Sequence, residues 1–299
     1  MHALSPRGVL ASVASSVFFG VLYFFTPQLA PLSAESVWAI RVVFAVPCIA
    51  IVLLSLRDWH LFTETAARIR RRPLLLLGIL ASGALLAAQL WVFAWGPLHG
   101  RGLQVALGYF LLPLVLVLVG KLVYRDQLRW WQWLAAGCAA VGVIFELVRV
   151  GGISWETLLV ALGYPVYFVL RRSLGTNHMG GQLWEMSVAL PLAIALTTLE
   201  LTRGTAFAEN PRLWWLAPAV AITAAIALLL YIVASKLLPL STFGLLSYLE
   251  PALLMVAALL LGETIAREEL FSYGAIWAAV LIVVAGGVVE VLRGRRKHP

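Results

Sequence analysis

Charge is what this chain of 299 residues has least of. Lysine, arginine, aspartate and glutamate make up 12% of it, while 62% is hydrophobic. Soluble domains carry about 25% charged residues. So few charges cannot cover a water-soluble globule of this length, which excludes an ordinary soluble enzyme and a disordered chain. Cysteine is nearly absent too. Cys48 and Cys138 each lie within an apolar run, with no second cysteine nearby. That excludes a disulfide-stapled domain, and both read as core residues. The five histidines, His2, His60, His99, His178 and His298, fall in tails or connections without an HExxH spacing, and no GxxxxGK[ST] occurs. Neither metal nor nucleotide chemistry is therefore expected, and no cofactor.

Apolar sequence is what the chain has in plenty, so a bilayer must be the solvent for most of it. Ten runs stand out, at roughly 8–26, 35–56, 74–95, 103–123, 130–150, 153–170, 183–201, 213–235, 240–261 and 271–292. At about 20 residues per span, ten spans use roughly two-thirds of the chain and leave short loops. The expected fold is an all-α integral membrane protein with ten transmembrane helices. The first run is longer than a signal-peptide core and reads as the first span.

A net charge of +8 could suggest a nucleic-acid partner. No basic stripe with interleaved aromatics lies outside the apolar runs, so none is expected. Basic residues of membrane proteins collect in cytoplasmic segments instead. With the N-terminus inside, 16 of the 22 lysines and arginines fall on inner segments and 5 on outer loops. The expected topology is N-in and C-in, with both termini cytoplasmic.

The chain also resembles itself. Residues 107–113 read LGYFLLP and residues 245–251 read LLSYLEP, each early in an apolar run. The offset matches the fourth helix to the ninth and the fifth to the tenth. Residues 1–150 and 151–299 then form two five-helix repeats. Five is odd, so the repeats enter the membrane from opposite sides. Inverted repeats with a site at the midplane are a recurring build of secondary transporters.

Several motifs, in order, resemble a known family. They are Ser33-Ala34-Glu35 followed by Arg41; Gln89 with Phe93 and Trp95; and Leu107-Gly108-Tyr109-Phe110 with Pro113. Then come Tyr167 with Arg171-Arg172; Glu185 with Pro191; and Leu240-Ser241-Thr242, Tyr248, Pro251 and Gly262-Glu263. Across almost the whole chain this pattern is similar to the drug/metabolite transporter superfamily, EamA type, and within it to RarD-like and YddG-like permeases. The resemblance implies ten helices, a bacterial inner-membrane location and export of small metabolites by alternating access. Ile40, Tyr124-Arg125 and Glu250 depart from the family pattern at their positions.

Ionisable side chains inside a span are costly and suggest function. Arg41, Glu146, Glu185 and Glu250 are the candidates. Arg41 is either a clamp between helices, pairing with Glu146 or Glu250, or a ligand for a substrate carboxylate. Glu250, near the midplane beside Pro251, could carry a proton, meet an amino group, or be satisfied by backbone freed by the proline. Glu185 is expected to bond locally. If the repeats are real, Tyr109 with Pro113 and Tyr248 with Pro251 hold related places at their interface. Tyr167, Trp95 and Gln89 would add the sixth and third helices to the wall of a site suited to amphipathic or aromatic substrates. Arg41, Pro113 and Pro251 would serve structure or gating.

The reading is an exporter of amino acids, preferring aromatic or hydrophobic ones. A RarD-like permease for another amphipathic metabolite or drug is the alternative. An integral-membrane enzyme acting on lipid-linked substrates is the rival class, but such an enzyme would cluster acids, histidines or arginines at one interface. Here they are scattered, so no enzymatic activity is expected. The expected partners are a small-molecule substrate and the bilayer. The oligomeric state is open, and a monomer would suffice.

Overall fold

The computed structural model describes residues 5–99, 101–260, 268 and 270–295. It is helical throughout, with no strand among the described residues. Helix α1 (Pro6–Phe25) starts where the Ser5 hydroxyl accepts from the Gly8 amide and Pro6 occupies the first turn, where a missing N–H costs nothing. Helix α2 (Ala34–Ser55) is capped by Ser33 and carries Glu35 in its first turn, favourable to the helix dipole.

The chain continues through α3 (His60–Arg71), α4 (Leu74–Leu98), α5 (Gly102–Leu122) and α6 (Trp130–Val150). Next come α7 (Trp155–Leu174), α8 (Met179–Arg203), the short α9 (Ala206–Glu209) and α10 (Leu213–Leu237). Last are α11 (Leu240–Leu246), α12 (Leu249–Leu260) and α13 (Leu270–Arg295). Gly151 and Gly175 end α6 and α7 at φ 83° and 63°, a left-handed conformation that glycine adopts without strain.

A helix thus fills each of the ten apolar runs, with two differences from the sequence reading. The first is α3, in a stretch read as a plain connection. Its Phe62 ring stacks on Trp184 of α8 at 4.9 Å. Trp184 Nε1 donates to the Phe62 carbonyl at 3.1 Å. Arg68 donates to the Leu174 and Gly175 carbonyls at the end of α7, where a cation also suits the dipole. Basic residues and apolar spacing thus serve one short amphipathic helix.

The second difference is a break. The ninth run divides at Ser247-Tyr248 into α11 and α12. Pro251 lies in the first turn of α12 and so opens a helix rather than kinking one. The Gly262-Glu263-Thr264 motif lies outside the described residues.

Among the described residues, seven helices are long and apolar enough to cross a membrane: α1, α2, α4, α5, α6, α8 and α10. α1 packs on α10 and α12; α2 packs on α8 and α10; α5 packs on α7 and α11; α6 packs on α13. The buried residues form one large cluster, rich in aromatic rings, and a smaller one around the 26–33 connection.

Candidate functional site

Seven helices converge on one cavity in the interior. Phe19 comes from α1, Arg41 from α2, Phe93 from α4, Tyr109 from α5, Tyr164 from α7 and Glu250 from α12, with Leu22, Leu90, Ala224 and Leu228 between them. The rings form a connected set. Phe93 meets Tyr109 edge-on at 5.7 Å, Tyr109 lies 6.4 Å from Tyr164, and Tyr164 meets Tyr231 at 6.1 Å. Phe19 closes the group against Tyr231 at 5.9 Å. These are the offset and edge-to-face separations that aromatic pairs prefer. The cavity measures about 20 Å³, room for about one water molecule.

Its two charges are held in unequal ways. Arg41 is 5% exposed. Its Nη2 donates to Thr26 Oγ1 at 3.3 Å, and its guanidinium lies 5.9 Å from the Phe93 ring centre. Its Nε has no partner. Glu250 is 7% exposed, and among the described residues no group hydrogen-bonds to its carboxylate. The two form no ion pair with each other. Arg41 also lines a second, smaller cavity with Leu29, Leu32, Val37, Ile40, Ala217 and Val220. It therefore stands between the aromatic cavity and an aliphatic one toward the 26–33 connection.

Of the residues expected at a site, Arg41, Tyr109 and Glu250 come together here. The others lie elsewhere. Gln89 Nε2 donates to the Leu159 carbonyl at 2.7 Å and lies against Gly163, tying α4 to α7. Trp95 stacks on His99 at 4.3 Å and packs against Trp155 at 5.4 Å, near the end of α4. Tyr248 is fully buried and donates to the Phe110 carbonyl at 3.2 Å. The Pro113 carbonyl faces Gly244 of α11. Glu146 pairs with Arg149 at 2.5 Å and accepts from Ser272 at 2.9 Å, so it is not the partner of Arg41.

Tyr167 belongs to a separate buried cluster. Arg171 Nη1 donates to Glu185 Oε2 at 2.9 Å and to the Tyr167 hydroxyl. Tyr167 donates to the same carboxylate oxygen at 3.1 Å, and Ser82 of α4 donates to the other at 2.6 Å. Arg171 Nη2 donates to the Thr176 and His178 carbonyls, both at 2.8 Å. Glu185 was expected to bond locally; it instead joins α8 to α7 and α4.

His178, in the connection before α8, accepts the Gly181 amide at Nδ1 over 3.2 Å and so caps that helix. Burial, reinforced by the charge of Arg171, pushes its pKa down to about 4. An unfolded chain binds that proton near pH 6.5. Acidification between about 6.5 and about 4 therefore favours the unfolded state, and stability falls across that window. Thermal unfolding in detergent should show this slope, and His178→Asn, which keeps a capping acceptor, should flatten it. An unchanged slope in the variant would remove His178 from the account.

Comparison with known proteins settles the family. The Pseudomonas aeruginosa protein named chloramphenicol-sensitive protein RarD is 41% identical over 280 residues, covering 93% of this chain and 94% of the relative. The chain belongs to the RarD family. An uncharacterized transporter of Pasteurella multocida is 34% identical, covering 96% of this chain and 98% of its own. No protein-family model matches the chain. A solved crystal structure only 18% identical superimposes over 98% of this chain and 99% of its own at a TM-score of 0.62, which shows a shared fold. As a RarD-family member of the drug/metabolite permease type, the chain is a membrane transporter embedded through several passes.

In this RarD-family chain, sequence reasoning missed Phe19 and Tyr164 at the cavity, and Tyr231 packed behind them. Tyr164 was one of a pair three residues apart on α7, Tyr164 and Tyr167. Spacing could not tell that the first turns to the cavity and the second to Arg171. Phe19 and Tyr231 lie in uniformly apolar helices that give no facing signal.

Proposed function

We propose that this chain exports small metabolites, amino acids foremost and aromatic or hydrophobic ones preferentially, by alternating access across the bacterial inner membrane. The observation that carries this is the cavity walled by Phe19, Phe93, Tyr109 and Tyr164, in a chain with relatives named as transporters. Rings arranged edge to face offer a surface on which an apolar side chain stacks. The broken helix α11–α12 beside it is the kind of irregularity that membrane proteins tolerate where it lines a cavity.

In this reading the ten apolar runs all span, both termini are cytoplasmic, and residues 1–150 and 151–299 are inverted repeats. The helix pairings support it. Exchanging each helix with its counterpart carries α1–α10 onto α7–α4, α5–α7 onto α12–α1, α10–α2 onto α4–α8 and α5–α6 onto α12–α13, all of which are packed pairs. The pairs α2–α8, α6–α13 and α5–α11 map onto themselves. A second reading, passage of an amphipathic drug, rests on the name of the Pseudomonas relative, a chloramphenicol-sensitive protein.

The test is counterflow in proteoliposomes with labelled phenylalanine or alanine, and with chloramphenicol among the competitors. A transporter exchanges the label chemically unchanged, which an enzyme does not. Losing one ring contact costs about 0.5–1.5 kcal/mol beyond area burial, or roughly 2- to 12-fold in affinity. Tyr109→Ala and Tyr164→Ala should each raise the half-saturating phenylalanine concentration by that factor, and alanine's much less. Trp214→Ala, 64% exposed, should change neither. Equal effects of all three on both substrates would reduce the rings to packing.

A further inference from the structure

We infer that Arg41 and Glu250 are the two ends of a zwitterion clamp, Arg41 for a free carboxylate and Glu250 for a free ammonium group. The inference rests on the reading that the aromatic cavity is the substrate site. It adds which polar groups the substrate must carry and which residue meets each.

Buried charges are costly unless paired. Arg171, also buried and also with an orphan Nε, has Glu185, the Tyr167 hydroxyl and two carbonyls as partners of its other nitrogens. Arg41 has one hydroxyl at 3.3 Å and an orphan Nε, and the Glu250 carboxylate has no hydrogen-bonding partner among the described residues. Both line one cavity, from α2 and α12, yet they do not bond each other. Two opposite charges, each left largely unsatisfied and facing the same space, are complementary to a ligand that carries both.

With Glu250 ionised opposite Arg41, the site as a whole adds no net charge. A net-neutral ligand fits it without leaving a charge uncompensated. An amine without a carboxylate would leave Arg41 unpaired, and an acid without an amine would leave Glu250 unpaired. A guanidinium also matches a carboxylate with two parallel hydrogen bonds, and an ammonium offers three donors to a carboxylate oxygen pair. Phe93, beside the Arg41 guanidinium, and Tyr109 then face the rest of the ligand.

The test uses the purified full chain and four probes that share one ring: phenylalanine, phenethylamine, 3-phenylpropionate and N-acetylphenylalanine. Binding is read as ligand-induced thermal stabilisation in detergent, and transport as competition in phenylalanine counterflow. Wild-type protein should bind phenylalanine at least about tenfold more tightly than each single-charge probe, since a charge-assisted bond to a buried partner is lost in each. Glu250→Gln should weaken phenylalanine about tenfold and leave 3-phenylpropionate unchanged. Arg41→Gln should weaken phenylalanine and 3-phenylpropionate and leave phenethylamine unchanged.

The clamp is overturned if a single-charge probe binds wild-type protein as tightly as phenylalanine, a result that needs no variant to fold. It is overturned too if no zwitterion among the natural amino acids stabilises the protein, or if folded variants shift all probes alike. Phenylalanine that binds selectively but is not exchanged would uphold the clamp and overturn amino-acid export. A single-charge probe bound as tightly as phenylalanine and exchanged as fast would overturn the clamp and leave a transporter without it.

Discussion

Glu185→Ala should lower the stability of the folded chain by about 3–5 kcal/mol, the usual cost of stripping a buried charge of its counter-ion. The Arg171 and Glu185 side chains are both 0% exposed. Removing the carboxylate leaves the guanidinium with the Thr176 and His178 carbonyls and the Tyr167 hydroxyl, but with no anion. It also leaves the Ser82 hydroxyl, which reaches across from α4, with only the Ile79 carbonyl of its own helix. The diagnostic comparison is the double variant Glu185→Leu with Arg171→Met. A hydrophobic replacement of a whole buried pair is often neutral or better, so the double should recover part of the loss. Recovery should stop short of complete, because the Thr176 and His178 carbonyls would each lose a charged donor and keep only one backbone amide, that of His178 and of Gln182. Thermal unfolding of the detergent-purified single and double variants reads this out. Equal loss in both would assign the effect to packing around the site rather than to the charge.

That cluster also shows what the sequence could and could not tell. The positions of the apolar helices were legible because hydrophobic length is a one-dimensional property, and all ten runs hold helices. α3 was not, because its stretch was judged by its arginines. Those arginines occupy the last turn of a short helix whose Phe62 packs on Trp184, an amphipathic pattern hidden by the charge. The break at Ser247-Tyr248 was half legible: Pro251 marked the place, but the turn precedes it.

For the site, Arg41 and Glu250 announced themselves as ions in apolar surroundings, and the fold brings both to one cavity. Gln89, Trp95, Tyr167 and Tyr248 had the same standing by composition, yet the fold turns each to a different neighbour. In a helix that is apolar all round, no moment separates the face toward a cavity from the face toward another helix. Only tertiary packing assigns it, which is why Tyr164 and Tyr167, three residues apart, end in different clusters.

The seam that places Glu250 is the other point where one substitution should tell strongly. α11 approaches α5 so closely that a Cβ on Gly244 would lie 2.7 Å from Leu116 Cβ and 2.9 Å from the Pro113 carbonyl oxygen. The carbonyl is backbone and cannot swing aside. Further along the seam, Gly120 faces Ser241 at 2.6 Å on the same measure. There Asp126 accepts from the Ser241 amide at 3.0 Å and from its hydroxyl. Gly244→Leu therefore has to push α11 off α5, and overpacking of this kind costs about 1–3 kcal/mol. The shift carries through the Ser247-Tyr248 turn to α12, so Glu250 moves relative to Arg41 and Tyr109. Transport should then fall by more than the loss of folded protein accounts for, when counterflow is normalised to monodisperse protein. Gly137→Ala on α6 is the matched control. Nothing lies within 4 Å of its added Cβ, and alanine is the better helix former by about 0.5–1 kcal/mol. That variant should be neutral or slightly more stable and transport normally. If Gly244→Leu lost stability while normalised transport stayed intact, the α5–α11 seam would be a packing contact and not the support of the site.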